Sequence, residues 1–95
     1  MIQEGMRRAA KTDSNHAQIR DALRAVGASV HDMSSAGAGF PDLAVGFKKK
    51  TFLLEVKTKT GRLTKPQVKW HDEWRGHHAI VRTEEEALKE IGAIR

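Results

Sequence analysis

Apolar residues first recur at helical spacing at Ile19, Ala22, Leu23 and Val26, positions that share one face of a helix. Thr12, Asp13 and Ser14 stand just ahead of them as N-cap candidates. Gly27 follows, a residue that accepts left-handed backbone and stops a helix. The period then changes. Ala28 to Met33 is compatible with a short strand, and Ser34 to Phe40, with Gly37 and Gly39, reads as a loop. Asp42 to Phe47 and Thr51 to Lys57 carry the best strand patterns, and Lys48, Lys49 and Lys50 between them predict a hairpin. Beyond a polar loop around Gly61, Thr64 and Gln67 have capping-box spacing, and Pro66 is tolerated in a first helical turn. That helix is expected to reach Arg75, with Val68, His71 or Asp72, and Trp74 along one side and Gly76 at its end. His78 to Arg82 is another strand candidate. Thr83 and Glu86 repeat the capping spacing before a short helix that carries Ala87, Leu88 and Ile91.

The predicted order is α-β-β-β-α-β-α, an α/β design with a mixed sheet. With 95 residues there is room for one core. Residues 1–11 lack a clean period and carry Arg7, Arg8 and Lys11, so they read as a basic arm ahead of a single domain over 12–95.

Composition narrows the classes. The absence of cysteine removes disulfides and thiolate zinc sites. No apolar run is long enough for a signal peptide or a membrane span, so a soluble, cytoplasmic protein is expected. The net charge of +5 and pI near 9.9 suit a polyanionic partner. The glycines around Gly37 lack a following helix, which argues against a nucleotide-binding loop and an organic cofactor.

Candidate chemistry sits on the second hairpin strand. In Leu53-Leu54-Glu55-Val56-Lys57, alternation puts Glu55 and Lys57 on one face with Leu53, and Leu54 and Val56 on the other. Burying that acid and base costs several kcal/mol unless a partner compensates. Pro41 holds the chain extended ahead of Asp42. A two-residue loop pairs Phe47 with Lys50 and a four-residue loop pairs Gly46 with Thr51. Continued along the hairpin, either one sets Asp42 opposite Glu55; an odd-length loop or a bulge shifts the pairing by one residue. Two facing carboxylates repel, and a hard divalent cation resolves the conflict. Asp42, Glu55 and a backbone carbonyl such as that of Val56 form a candidate site for Mg²⁺. Lys57 is placed to contact water or phosphate, with Lys59, Arg62 and Lys65 along the approach and Arg7 and Arg8 as further contacts.

At these residues the chain resembles the PD-(D/E)XK nuclease superfamily, with its restriction-endonuclease-like core. Within it, the likeness is closest to the small stand-alone VRR-NUC domains of phages and bacteria. Gly39-Phe40-Pro41-Asp42-Leu43, Leu54-Glu55-Val56-Lys57 and Leu63-Thr64-x-x-Gln67 carry the likeness, which spans about Asp13 to Arg82. The resemblance implies hydrolysis of DNA phosphodiesters, with Asp42 and Glu55 as metal ligands and Lys57 as the catalytic lysine. It also implies that Gln67 lies near the active site. The capping box makes a rival claim on Gln67, and one side chain can hardly serve both. Many relatives add an acidic residue from the first helix. Here Asp13 is the only charged candidate and reads more simply as an N-cap, while Asn15 or Gln18 could hold a metal-bound water. The resemblance further implies a homodimer, whose two active sites would suit branched DNA such as a four-way (Holliday) junction.

Other features take plainer readings. Adjacent His77 and His78 point to opposite faces of a strand and cannot chelate one ion in the usual way. Trp70 and Trp74 form an i, i+4 ridge expected in the core or a dimer interface. The three lysines read as a solvated hairpin tip that blocks edge pairing and points away from Asp42. The competing function is a non-catalytic DNA-binding or assembly module that uses the basic arm and hairpin alone.

Overall fold

Alternation along the hairpin strands decides which side of the sheet becomes the core. A computed structural model describes residues 13–95, so the arm at 1–11, with Arg7 and Arg8, lies outside the described residues. The elements are α1 (His16–Ala25), β1 (Ser29–Asp32), β2 (Leu43–Phe47), β3 (Lys50–Val56), α2 (Lys65–Glu73), β4 (His78–Val81) and α3 (Glu84–Glu90). The sheet order is β1-β2-β3-β4. The first two pairings are antiparallel and the third is parallel. The parallel step needs a crossover, and α2 supplies it. The sheet is therefore mixed, as the pattern predicts.

Leu43 and Val45 of β2, Phe52, Leu54 and Val56 of β3, and Val81 of β4 are buried together with Ile19 and Leu23 of α1 and Ala87 and Ile91 around α3. Leu43 lies directly across from Leu54, and neither has any exposed surface. Each such side chain contributes about 2 kcal/mol by leaving water. This is the alternate set of strand residues, so Glu55 projects toward the other face, the one α2 crosses.

Local chemistry sets the ends of the helices. Gly27, at φ +94°, closes α1; the Ala28 and Gly27 amides donate to the carbonyls of Leu23 and Arg24, the Schellman pattern. The start of α1 differs from the expectation: the N-cap is Asn15 rather than Thr12, Asp13 or Ser14, and its side chain makes no capping bond. α2 stops at Glu73, two residues short of Arg75, because Trp74 turns to extended backbone (φ −74°, ψ 129°). Its ring nevertheless stacks on Trp70 at 4.7 Å between centroids. Neither tryptophan joins the main core; together with Phe40, edge-on to both rings, they form a separate aromatic cluster beside the sheet. Val68 is likewise exposed.

The loop before β2 is held against α2 at Gly39. A Cβ placed there would lie 2.3 Å from the Pro66 carbonyl oxygen, and the residue sits at φ +81°. Gly37 has a similar φ of +78° but open space around it. Gly37→Ala should therefore cost only backbone strain, about 1 kcal/mol. Gly39→Ala should cost at least about 3 kcal/mol, because backbone must move as well. Urea denaturation of the two variants checks this, and equal losses would remove any special role for the Gly39–Pro66 contact.

Candidate active site

The β2–β3 register runs as far as Leu43 opposite Leu54. One further step sets Asp42 across from Glu55. Buried Pro41 precedes Asp42 and fixes its approach. Asp42 Oδ2 accepts the Val56 amide at 2.9 Å, so that carboxylate is locked to the end of β3.

Glu55 is only 1% exposed. Its Oε2 accepts from Gln67 Nε2 at 3.1 Å and stands 4.0 Å from Lys57 Nζ. Its Oε1 is buried and has no hydrogen-bond partner. Burial pushes the carboxyl up, and the nearby charge of Asp42 pushes it further. Lys57 opposes the shift and Asp13 adds to it. The result is a pKa raised from an ordinary 4.5 to about 8. The pair of carboxylates is short of positive charge.

Gln67 overturns the expectation that it must choose between two tasks. Its Oε1 accepts the Thr64 amide at 2.8 Å while Thr64 Oγ1 accepts the Gln67 amide at 3.3 Å, which completes the capping box. The other end of the same amide group reaches Glu55. An amide has an acceptor and donors on different atoms, so one rotamer serves both. The helix cap thereby aims the donor.

Lys57 is also buried, at 8% exposure, and its amide donates to Val81 at the end of β4. Asp13 is not a side-chain N-cap. Its Oδ2 accepts the Thr58 amide at 2.7 Å, which brings its charge near Glu55. Asn15 uses its amide on the carbonyls of Lys57 and Arg82, at 3.1 and 2.9 Å, so it ties α1 to the ends of two strands rather than presenting an amide donor to water. Gln18 is exposed on α1 and, among the described residues, makes no hydrogen bond to the carboxylates.

Arg82 was not among the residues expected to matter. Its Nη1 donates to the carbonyls of Thr58 and Gly61, both at 2.7 Å, and so clamps the loop that leaves Lys57. Lys59, Arg62 and Lys65 are exposed along that loop and at the start of α2. The histidines go elsewhere: His71 and His78 share a contact at 2.8 Å between their Nδ1 atoms, and His77 Nε2 meets Glu90 at 2.8 Å.

A hard divalent cation fits these donors. Glu55 offers an unpartnered buried oxygen, Asp42 faces it, and both are the oxygen ligands such ions take. Among the described residues no three His, Cys, Asp or Glu side chains converge as a metal site. Further ligands would therefore come from backbone carbonyls, Val56 being the nearest in sequence, or from water.

A four-stranded mixed sheet carrying facing carboxylates and a buried lysine at one end of its central strands is the architecture of a nuclease-type domain. The family model for the VRR-NUC domain matches residues 2–85, and the chain belongs to that family. A solved structure of a VRR-NUC domain is similar in fold, at 21% identity and a TM-score of 0.66, with 90% of this chain and 100% of the other aligned. No curated protein matches the chain. No helix among the described residues is long and apolar enough to cross a membrane.

The raised Glu55 pKa fixes a sign for stability. Between pH 4.5 and about 8 the folded metal-free chain holds a proton that the unfolded chain releases. Stability from this group is full below the lower value and is lost as pH rises through that window. His71, whose pKa burial lowers, acts in the opposite sense in both proteins. The expected signature of Glu55 is therefore a difference: from pH 5 to pH 8 the Tm of the metal-free parent should fall relative to that of Glu55→Gln. Thermal unfolding of both proteins in EDTA across this range checks it; an identical slope in the variant would mean Glu55 ionises normally.

Proposed function

We propose that the chain is a Mg²⁺- or Mn²⁺-dependent deoxyribonuclease with Asp42, Glu55 and Lys57 as its working residues. The observation that carries this reading is the buried, unpartnered Oε1 of Glu55 facing a second carboxylate. Structure built for stability alone pairs such groups or replaces them. Asp42, Glu55 and the Val56 carbonyl would hold the ion. When bound, it would supply Lewis-acid polarisation of a phosphate oxygen and offset the paired negative charge.

The chain's own residues do the rest. Gln67 holds Glu55 in one rotamer through the amide it donates. Lys57, anchored at the end of β3, orients the attacking water or stabilises charge on the phosphate. The water oxygen bonds to phosphorus as the bond to the leaving ester oxygen breaks; the water gives up a proton to solvent and the leaving oxygen takes one from solvent, so the products are a phosphomonoester and an alcohol. Lys59, Arg62 and Lys65 receive flanking phosphates.

The finer reading is a structure-selective endonuclease acting on branched DNA such as a four-way junction, as a homodimer in the cytoplasm of a bacterial or phage-infected cell. One observation supports the dimer: Val68, Trp74 and Ile80 leave apolar surface exposed.

Labelled linear, flapped and four-way-junction DNA, and matched RNA, should be incubated with the protein in Mg²⁺, Mn²⁺ or EDTA. Metal-dependent DNA cutting is expected, and Lys57→Ala, Glu55→Gln and Asp42→Asn should each lower its rate by about 10²–10³-fold while leaving binding intact. Folded protein that binds but never cuts would establish the non-catalytic DNA-binding module instead. Preferential cutting of RNA would change the substrate class, and unpaired single cuts in junctions would remove the junction reading.

A further inference from the structure

The β2–β3 turn is built from residues that its geometry disfavours. Phe47 pairs with Lys50, so the loop holds two residues, Lys48 and Lys49. Both lie in left-handed backbone, at φ +51° and +67°. A turn with two such positions favours Asn-Gly, because a side chain with a Cβ is strained there. The Lys48 ammonium lies over the Phe47 ring, 5.4 Å from its centroid, but that contact does not remove the backbone strain a Cβ meets at either position.

The surroundings give lysine an external reason to stand there. From Leu43 to Leu54 the hairpin contains three lysines and no acidic residue. Among the described residues none of the three forms an ion pair. Beside the tip is a shallow cavity of about 420 Å³, lined by Gly27, Ser29, Gly46 and the lysines. A Cβ placed at Gly27 would meet nothing within 4 Å, and one placed at Gly46 would meet nothing nearer than the Ser29 Cβ at 3.7 Å. That flank is free of bulk and of negative charge. At a strand rise of about 3.4 Å per residue, the tip stands about 17 Å from Glu55, near half a helical turn of duplex DNA.

The geometry points to Lys48, Lys49 and Lys50 as a second contact for the sugar-phosphate backbone of DNA, at the opposite end of the hairpin from the carboxylates. This contact rests on the reading of the chain as a DNA-acting enzyme, and it replaces the view of the tip as merely solvated. It positions the duplex and takes no part in the chemistry.

The double variant Lys48→Asn/Lys49→Gly separates the two views, because it restores the residues the turn favours while removing two charges. Binding of a labelled duplex in EDTA, measured over a salt series, is compared with that of the parent protein, together with Tm and cleavage in Mn²⁺. The expected result is a Tm higher by about 5 °C, DNA affinity about tenfold weaker at low salt, and a log–log salt slope shallower by up to about 1.8. Cleavage at saturating DNA should be unchanged. A higher Tm with affinity and salt slope equal to the parent's would overturn the contact and leave the nuclease reading standing. A parent protein that neither binds nor cuts DNA would overturn both.

Discussion

The pairing of β2 with β3 is the constraint on which the site depends. Leu43 and Leu54 are both fully buried and directly opposed. A one-residue slip would turn the apolar set of β2 away from α1 and α3 and expose it. The core therefore pins the register, and the register in turn sets Asp42 across from Glu55. Two carboxylates that repel each other are held together by apolar burial on the reverse side of the same strands. Pro41 and the Val56 amide add fixed direction to Asp42, but neither could compensate for a slipped strand.

Glu55 shows what that constraint costs. Its carboxyl is held by one donated hydrogen bond from Gln67 and one distant ammonium from Lys57, and half of it has no partner. Low-dielectric surroundings magnify both the repulsion from Asp42 and any attraction to an added positive charge. The raised pKa is the metal-free expression of this imbalance. A proton or a divalent cation would relieve it, and only the cation brings the ability to polarise a phosphate. In the metal-free chain this carboxyl therefore costs stability.

Much of this was legible in the sequence, for reasons that can be stated residue by residue. The hairpin was readable because loops of two or four residues both lead to the same pairing of Asp42 with Glu55. The element order followed from the change of hydrophobic period at Gly27 and again near Thr64. What escaped were side chains that bond to distant backbone. Asn15 reaches Lys57 and Arg82, which lie 42 and 67 positions away, and Asp13 reaches Thr58, 45 positions away. No spacing rule encodes such contacts. Trp74 misled for a different reason: its apolar side chain fits the helical period, but its backbone has already left the helix. At Gln67 the two readings were each sound, and only geometry could show that the acceptor end and the donor end of one amide satisfy both.

These long-range contacts explain how a small domain keeps its site rigid. Lys57 ends the sheet pairing through Val81, and the chain then enters a polar loop with no core of its own. Arg82 follows the end of the neighbouring strand, and its guanidinium gathers the carbonyls of Thr58 and Gly61. Asp13 takes the Thr58 amide from the other side, and Asn15 ties the start of α1 to Lys57 and Arg82. The Lys57, Thr58 and Gly61 backbone groups are thus bonded by side chains that flank α1 and β4, elements whose positions the apolar core fixes. A domain of this size has little burial to spare for ordering a loop, so these directed hydrogen bonds hold it instead. They fix the path of the backbone that carries Lys59 and Arg62, while the carboxylates themselves are positioned by strand register. The site is assembled from two rulers, the strand register and the polar contacts that the same core positions, and they meet at Lys57.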